Sequence, residues 1–299
     1  MSDAPPSDTE SLLACEECLA PAEAFAVVGN ETRLSILEAL WTLNRPAAFS
    51  DIRREVGMSD SAQFNYHLSK LRGQFVHKTD DGYEFRAAGR SVIAAVLSGT
   101  LNQNPSLDPF TVAGSCLSCD GPLEAVYEDE RIEIRCRDCE RPHGGYAFPP
   151  GGIEDRTREE LMAAFNQRAR HLSCLSADGV CPDCSGRMET HLTDVRDSDG
   201  PQTVRVEHEC QRCHHTIGSS VGLVLLDDAR IVSFYQDHDI DLNSVPFWTL
   251  DWCVSDRYTT VERSGDPWRL TLSIPLDDEQ LVLDLDGDLS VLAAERRLI

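Results

Sequence analysis

Eight cysteines, arranged as two matching sets of four, limit the folds open to this 299-residue chain. Each set contains two Cys-x-x-Cys pairs, with 16 residues between the pairs of the first set and 25 between those of the second. A tetrahedral Zn²⁺ ion takes four thiolates at about 2.3 Å, and two intervening residues let one pair supply two of them. We therefore predict two structural zinc ribbons, at 116–139 and 181–213, with the ligands Cys116, Cys119, Cys136, Cys139, Cys181, Cys184, Cys210 and Cys213.

The two sets lie in similar stretches of chain. Their first cysteines are 65 positions apart, and a glycine-containing hydrophobic strand and then a helix follow each set. This order indicates an internal duplication of ribbon, strand and helix. The predicted strands inside the ribbons are 123–127, 131–135, 188–195 and 203–208, and the strand and helix that follow them are 145–148 with 158–171, and 218–226 with 229–238.

Disulfides and redox pairs are the competing interpretations of these cysteines. Disulfides are rare in a reducing cytosol, and a thioredoxin-type site needs a single Cys-x-x-Cys beside a βαβ unit. A closed four-cysteine site has no open position for substrate or water, and no phosphate loop or nucleophile elbow stands out. We expect scaffolding and no enzymatic activity.

Four further cysteines fall outside both sets. Cys15 and Cys18 form another Cys-x-x-Cys pair, which contributes to a third zinc site if folding or dimerisation brings partners close. The alternative is that they are idle. Cys174 and Cys253 are expected to be buried or idle thiols. The number of zinc ions per chain distinguishes these cases.

The stretch Ser59–Arg72 has the pattern of a short two-faced helix. Asp60 is placed to cap its start, and the apolar residues Phe64, Leu68 and Leu71 recur at helical spacing. The remaining side chains point outward and carry hydrogen-bonding or planar groups suited to base edges and phosphates. We expect Gln63, Asn65 and Tyr66 near bases, and Ser61, Ser69 and Lys70, together with Lys78 further along the chain, near phosphates.

Capping and turn signals place this stretch inside a small domain. Helices are predicted before it at 21–28, at 31–42 after the cap Asn30, and at 50–56 with Ser50 as cap. Two short strands, 74–79 and 83–86, follow it around a turn that ends in Gly82, and a helix at 90–97 comes next. That last helix is well placed to pair with its copy, so we expect a homodimer.

Two segments resemble a known family. Gly-Asn-Glu-Thr-Arg-Leu-Ser-Ile-Leu at 29–37 and His-Leu-Ser-Lys-Leu at 67–71 resemble the ArsR-like winged helix-turn-helix regulators of archaea and bacteria. The resemblance spans roughly residues 21–98 and implies that 60–72 enters the major groove of double-stranded DNA while the hairpin acts as a wing. The Cys-x-Cys that metal-sensing members carry on this helix is absent, so metal-triggered release is not implied.

The charge is strongly acidic and unevenly distributed. The formal net charge is −24, and only Lys70 and Lys78 among the 27 basic residues are lysines. This composition resembles that of extreme halophiles, whose acidic surfaces stay solvated in concentrated salt; the alternative is an ordinary acidic protein. Residues 22–100 carry nine basic and nine acidic residues, whereas 101–299 carry 18 and 37. We therefore look for a polyanionic partner in the neutral segment.

The last third combines aromatic residues with alternating strands. Phe247, Trp248, Trp252, Tyr258 and Trp268 are expected to form core, with a small-molecule pocket as the alternative. The alternation at 268–274 and 281–285 predicts a small sheet.

These patterns predict an α+β protein in four parts. The parts are a mobile acidic N-terminus at 1–20, a winged helix-turn-helix domain at 21–99, a linker at 100–114, and an α+β domain at 115–299 that contains both ribbons. Without a long apolar run, no membrane association is expected, and the location is expected to be cytoplasmic. With the cysteine-rich second part, the chain most resembles haloarchaeal regulators of this type.

The expected function is sequence-specific binding of double-stranded DNA to regulate transcription. One alternative is an adaptor that binds proteins of the transcription machinery. Another is a redox- or metal-responsive sensor that acts through the cysteines. The residues identify no small-molecule effector.

Overall fold

The computed structural model describes residues 19–195 and 203–299. The chain is mixed α+β, as the sequence predicted, and divides into two compact units, Met1–Asn102 and Gln103–Ile299. The predicted mobile N-terminus lies outside the described residues except for 19 and 20, so Cys15 and Cys18 have no structural description here. Among the residues described, no helix has both the length and the apolar character needed to cross a bilayer.

Between residues 19 and 102, the first unit has five helices and one hairpin. Ile36, Phe64, Leu68 and Val76 are among the residues of its hydrophobic core. Its elements are α1 (Pro21–Val28), α2 (Glu31–Leu43), α3 (Phe49–Glu55), α4 (Ser61–Leu71), β1 (Val76–Thr79), β2 (Gly82–Phe85) and α5 (Ala87–Leu97).

Side-chain caps set two of these helix starts as predicted, and a third prediction was wrong. The Asn30 side chain accepts from the Arg33 N–H at the start of α2. Ser50 does not cap α3, which begins one residue earlier at Phe49, after an uncapped Ala48. The physical reason is packing: the Phe49 ring meets the Phe64 ring edge-on at 4.8 Å, which holds Phe49 in the helix.

The hairpin is fixed to the loop between α2 and α3. Strands β1 and β2 pair antiparallel from Val76↔Phe85 to Thr79↔Gly82. Ala47 and Tyr83 exchange two backbone hydrogen bonds of 2.9 Å, which adds a bridge on the outer side of β2. Gly82 has φ +141°, and a Cβ there would lie 2.5 Å from the Ala47 carbonyl oxygen, so this close approach requires glycine.

The described residues of the second unit form three antiparallel sheets. The first is β3 (Leu107–Ser115), β4 (Pro122–Glu128), β5 (Arg131–Cys136) and β6 (Pro142–Ala147). The second is β7 (Met188–Asp194), β8 (Val204–Cys210) and β9 (Thr216–Ser219), and the third is β10 (Thr259–Arg263), β11 (Arg269–Leu276), β12 (Glu279–Leu285) and β13 (Val291–Leu298). In each sheet the strands are neighbours in chain order.

Helices and short turns join these sheets. They are α6 (Gly151–Glu154), α7 (Arg158–Ala177), α8 (Val221–Val224), α9 (Ala229–Asp237) and α10 (Asp251–Val254), with single-turn 3₁₀ helices at Leu242–Ser244, Phe247–Thr249 and Asp256–Tyr258. One core cluster collects buried residues from all three sheets and includes Phe247, Trp248 and Trp252, as expected of the aromatic group. Tyr258 and Trp268 are only partly buried and pack against this cluster.

Two sequence predictions were wrong in this unit. Most of the predicted linker at 100–114 is strand β3, because Phe110 is buried and pairs with Ala125 of β4. The strand predicted at 218–226 ends at Ser219 and gives way to α8. Ser220 caps that helix by accepting from the Leu223 N–H, and Gly222 packs so closely on α10 that a Cβ would lie 2.0 Å from the Trp252 carbonyl oxygen.

Candidate functional site

The first four-cysteine group is assembled with metal-binding geometry. The Sγ atoms of Cys116, Cys119, Cys136 and Cys139 all lie within 4.8 Å of one another. The closest pairs are Cys116–Cys139 at 3.6 Å and Cys119–Cys136 at 3.5 Å. A tetrahedral ion about 2.3 Å from each sulfur places the sulfurs about 3.8 Å apart, so these four thiols fit around one ion.

The second group repeats the first. Cys181, Cys184, Cys210 and Cys213 also place their Sγ atoms within 4.8 Å of one another. Cys181–Cys213 is 3.7 Å and Cys184–Cys210 is 3.5 Å, the same pairing of positions as in the first group. All ten described cysteines are free thiols, which disagrees with a disulfide interpretation.

All four Cys-x-x-Cys pairs adopt the same backbone turn. In each, the N–H of the first cysteine donates to the carbonyl five residues later, and the N–H four residues later donates back to that cysteine. The residue after the second cysteine has a left-handed backbone in every case, with φ of 57–61° at Asp120, Glu140, Ser185 and His214. One local conformation is thus used four times, and it curls each turn around its sulfurs.

Backbone N–H groups point at the sulfurs and favour the thiolate. The N–H groups of Cys213 and Arg212 approach the Cys210 Sγ at 3.5 and 3.4 Å and lower the pKa of that thiol to about 6. Burial opposes the same effect at Cys136, but the N–H groups of Cys139 and Asp138 outweigh it and lower its pKa to about 7. The N–H groups of Gly121 and His215 favour the thiolate of Cys119 and Cys213 in the same way, but the neighbouring sulfurs outweigh them and raise the pKa of these two thiols to about 12. A thiolate is the form that binds a metal, so Cys136 and Cys210 are the ligands that ionise most readily.

The remaining described cysteines behave as expected of structural thiols. Cys253 is completely buried, and burial raises the pKa of its thiol strongly. Cys174 is half-buried on α7, with its Sγ 3.9 Å from an Asp178 carboxylate oxygen. Neither joins a cluster of metal-binding side chains within the described part of the chain.

Helix α4 has the two faces that its sequence predicted. Phe64, Leu68 and Leu71 are buried, and the Asp60 side chain caps the helix by accepting from the N–H groups of Ala62 and Gln63 at 2.8 and 3.0 Å. These two N–H groups lower the pKa of the Asp60 carboxyl. The six predicted DNA-contact residues of the helix are all exposed: Ser61, Gln63, Asn65, Tyr66, Ser69 and Lys70.

Neighbouring contacts organise this exposed face. The Tyr66 side chain is 56% exposed, and the Lys70 Nζ lies 5.6 Å from its ring centre. The Ser69 hydroxyl donates to the Tyr66 carbonyl at 2.7 Å. Lys78, the seventh predicted contact residue, is exposed on β1 with its Nζ 5.9 Å from the Tyr83 ring centre. It therefore belongs to the hairpin and not to the helix face.

Sequence reasoning missed one basic residue beside this face. Arg72 follows α4 directly, is exposed, and has no ion-pair partner among the residues described. The sequence could have identified Arg72 as a candidate contact, because it is a cation at the end of the proposed helix. The nearby Arg54 differs, since its guanidinium donates to an Asp51 carboxylate oxygen at 2.5 Å.

Comparison with known proteins assigns the second unit to a family. Residues 113–291 match the model described as Domain of unknown function (DUF7351), which covers more than half of the chain. The chain belongs to the DUF7351 family. Residues 21–96, within the first unit, match a second model, described as Domain of unknown function (DUF7347). No curated protein and no solved structure matches the chain.

The DUF7351 segment contains both four-cysteine groups and a buried charge that the sequence did not reveal. The Arg170 side chain on α7 is 1% exposed. Its guanidinium donates to the Asp227 carboxylate, to the Leu242 carbonyl at 2.8 Å and to the Asn243 amide oxygen at 3.3 Å. This side chain therefore joins α7 to the turn before α9 and to the 3₁₀ helix at Leu242–Ser244.

Proposed function

We propose that this DUF7351 protein is a sequence-specific double-stranded DNA-binding regulator of transcription. The observation that carries the proposal is the exposed face of α4. A capped helix with a buried apolar stripe presents two amides, a phenol, two hydroxyls and an amine on its outer side. Such groups read base edges and contact phosphates when a helix lies in the major groove.

The elements around α4 support a winged helix-turn-helix arrangement for the first unit. Helix α3, a turn containing Gly57 at φ +73°, and α4 follow in the order of that motif. The β1–β2 hairpin comes next and is braced by the Ala47–Tyr83 bridge, which suits a wing that must hold its position against a DNA backbone.

The contacts divide into two kinds. The amides of Gln63 and Asn65 suit the paired donor and acceptor of adenine, and Tyr66 lies beside them on the same exposed face. Lys70 and Lys78 supply positive charge to phosphates, Ser61 supplies a hydroxyl donor, and Ser69 supplies one once its hydroxyl turns away from the Tyr66 carbonyl. In concentrated salt the release of counterions contributes less to affinity, so base contacts and DNA shape carry more of it.

The metal proposed for the two cysteine groups is Zn²⁺, held as a pair of zinc ribbons. Four thiolates in a compact, closed set are the ligands of structural zinc sites, whereas Mg²⁺ and Ca²⁺ prefer oxygen. The ions would be held by the eight cysteines named above and would stabilise the second unit. No open ligand position is available for chemistry, so we propose no enzymatic activity.

A homodimer is part of the proposal. Leu97 at the end of α5 is 46% exposed and Leu101 is 75% exposed, although both are large and apolar. Covering these side chains with a second copy removes apolar surface from water. A symmetric dimer also lets two α4 helices contact half-sites one turn of DNA apart.

One observation favours a second candidate, a redox- or metal-responsive regulator. Cys119, Cys139 and Cys213 are exposed although they belong to the cysteine groups. Exposed cysteine sulfurs are accessible to oxidants and to competing metals. In this candidate, mild oxidant changes DNA affinity and a reductant restores it.

Selection from a random duplex library with the full-length protein in concentrated salt tests the proposal. We expect successive rounds to enrich one motif with two related half-sites. If no sequence is enriched over a range of salt concentrations, the DNA-binding proposal is wrong and the adaptor of the transcription machinery becomes the better explanation. Repeating the selection after mild oxidation distinguishes the sensor from a constitutive regulator.

A further inference from the structure

A cavity of about 890 Å³ lies in the second unit between strand β3 and helix α7. Its first wall is residues 109–113 of β3, which is the edge strand of the first sheet. The second wall is the face of α7 between residues 158 and 167, and the third is the segment 243–248. Small-molecule sites in proteins occupy about 300–1,000 Å³, so this cavity has the size of a ligand site.

Hydrogen bonds hold the three walls together. The Trp248 indole N–H donates to the Ala113 carbonyl at 3.1 Å and joins the segment 243–248 to β3. The Asn166 side chain joins the same segment to α7, because it accepts from the Phe247 N–H at 2.9 Å and donates to the Val245 carbonyl at 3.3 Å. The cavity is therefore formed before any molecule enters it, as is usual for small-molecule sites.

The interior of the cavity is largely apolar. Phe110, Met162 and Trp248 line it and also belong to the main hydrophobic core of the second unit, and Val112 packs against that core. Apolar surface in contact with water is unfavourable, so a molecule that covers these side chains with apolar groups gains free energy. Methionine is flexible and adapts to the shape of what it contacts, which suits Met162 to a binding wall.

A guanidinium without an acceptor lies at the β3 side of the cavity. The Arg158 guanidinium carbon lies over the Phe110 ring, 5.1 Å from its centre, and both residues line the cavity. Arg158 forms no hydrogen bond or ion pair with the described part of the chain. Arg170 on the same helix differs, since its guanidinium donates to three oxygen acceptors. The free donors of Arg158 match a carboxylate, which accepts two parallel N–H bonds from a guanidinium.

The neighbouring Glu159 raises the question of which charge a ligand carries. Arg158 and Glu159 are the charged residues among the described lining. Consecutive residues of a helix point about 100° apart, so these two side chains do not act on the same atom of a ligand. The Phe110 ring fixes the position of the Arg158 guanidinium, whereas the exposed Glu159 has no side-chain contact with a described residue. The fixed charge is the positive one, so the complementary ligand is an anion.

We propose that the cavity between β3 and α7 binds a monocarboxylic acid with an apolar body, such as a medium-chain fatty acid or an aromatic acid. Its carboxylate accepts from the Arg158 guanidinium, and its apolar body lies against Met162 and Trp248. The site does not depend on the proposed DNA binding, because every residue that forms it belongs to the second unit.

Calorimetric titration of the full-length protein with matched small molecules tests the site. Octanoate and 3-phenylpropionate carry both features and distinguish an aliphatic from an aromatic body. For each acid, the alcohol of the same skeleton lacks the charge and the amine reverses it, while propionate lacks the apolar body. We expect at least one acid to bind saturably, and at least about tenfold more tightly than its alcohol, its amine or propionate.

Two results of this titration would overturn the proposal. If neither acid binds saturably, the cavity does not take this class of molecule. If the alcohol or the amine binds as tightly as the acid of the same skeleton, Arg158 does not select a carboxylate.

Variants connect the binding to the cavity. Arg158→Gln removes the charge, and Ala163→Leu fills the cavity from an exposed position of α7 that a good helix former tolerates. Each is expected to weaken binding of the acid at least about tenfold. Arg156→Gln is the matched control, because it removes an exposed charge just before α7 and outside the cavity, and it should bind as wild type.

Circular dichroism establishes which variants are folded. Wild-type affinity in folded Ala163→Leu would place the binding elsewhere and overturn the proposal. If Ala163→Leu does not fold, Arg158→Gln decides, since unchanged affinity in that exposed variant would overturn the proposal equally. An equal loss in Arg158→Gln and Arg156→Gln would show a general effect of charge and would also contradict the site.

Discussion

The Sγ atoms of Cys184 and Cys210 lie 3.5 Å apart although 25 residues of chain separate them. Cys119 and Cys136 show the same 3.5 Å separation with only 16 residues between them. The intervening stretches of chain differ in length although their strands do not differ by more than one residue, so the sulfur positions do not depend on that length. They depend on the repeated Cys-x-x-Cys turn, which places its two sulfurs in the same way each time.

Zinc stoichiometry follows from this geometry. We expect two zinc ions per chain by elemental analysis of the purified protein, because each group supplies four thiolates to one ion. Cys136→Ser and Cys210→Ser should each lower the count by about one, whereas the control Cys174→Ser should leave it at two. Three ions per chain would support the additional site at Cys15 and Cys18, and a metal-free protein would contradict the ribbons.

The buried ion pair of Arg170 and Asp227 should matter for stability. Asp227→Ala leaves the Arg170 guanidinium, 1% exposed, without its carboxylate, while two oxygen acceptors remain. We expect the free energy of unfolding of the second unit to fall by about 2–3 kcal/mol in urea denaturation. Glu295→Ala removes the exposed partner of Arg297 and is the control, so it should change the free energy of unfolding little. An equal loss in both variants would contradict the claim that burial makes the Arg170 ion pair matter more for stability.

The depressed pKa of His143 predicts a stability change on the acid side of neutrality. The unfolded chain takes up a proton near pH 6.5, whereas the buried imidazole stays neutral until the pH falls to its lower folded-state pKa. Stability should therefore decline as the pH falls below about 6.5, and His143→Ile should lack this component. Urea midpoints of both proteins at pH 7.5 and 5.5 measure it, and parallel pH dependences would contradict the assignment.

The two lysines should determine part of the salt dependence of DNA binding. Lys70→Gln and Lys78→Gln each remove one proposed phosphate contact, so each should reduce the slope of log affinity against log salt by about one. Arg263→Gln removes one exposed charge from the second unit and should leave the slope unchanged. Fluorescence anisotropy across a salt series measures these slopes, and equal slopes in all variants would remove both lysines from the interface.

Local signals explain why much of the candidate site was predictable. The signals that define α4 are the Asp60 cap and the spacing of Phe64, Leu68 and Leu71, which lie close together in the sequence. The Cys-x-x-Cys turns are equally local. What failed depended on distant contacts. Strand β3 lies in a Pro-containing stretch that has no clear strand pattern of its own. It is recognised as a strand only from its pairing with β4, in which Phe110 lies opposite Ala125. Strand β13 shows no alternation to detect, because almost all of its residues are exposed.

An apolar run and a histidine give two further cases in which distant contacts decide what the local sequence leaves open. Val221–Leu226 is apolar throughout, which fits a buried strand or a buried helix equally, and contact with α10 together with the Ser220 cap decides for a helix at Val221–Val224. His143 lies four residues after Cys139, and no local pattern marks it as buried. It is buried because β6 packs against residues more than 100 positions later, such as Phe247.

The most direct test of the account is the affinity of α4 variants for the DNA motif enriched by selection. Full-length Gln63→Ala/Tyr66→Ala should lose at least about tenfold in affinity for that motif and keep its weaker affinity for a scrambled duplex. Glu38→Ala, an exposed change on α2, should match wild type on both duplexes. Full sequence-specific affinity in the double variant would contradict the assignment of α4 as the DNA-reading helix.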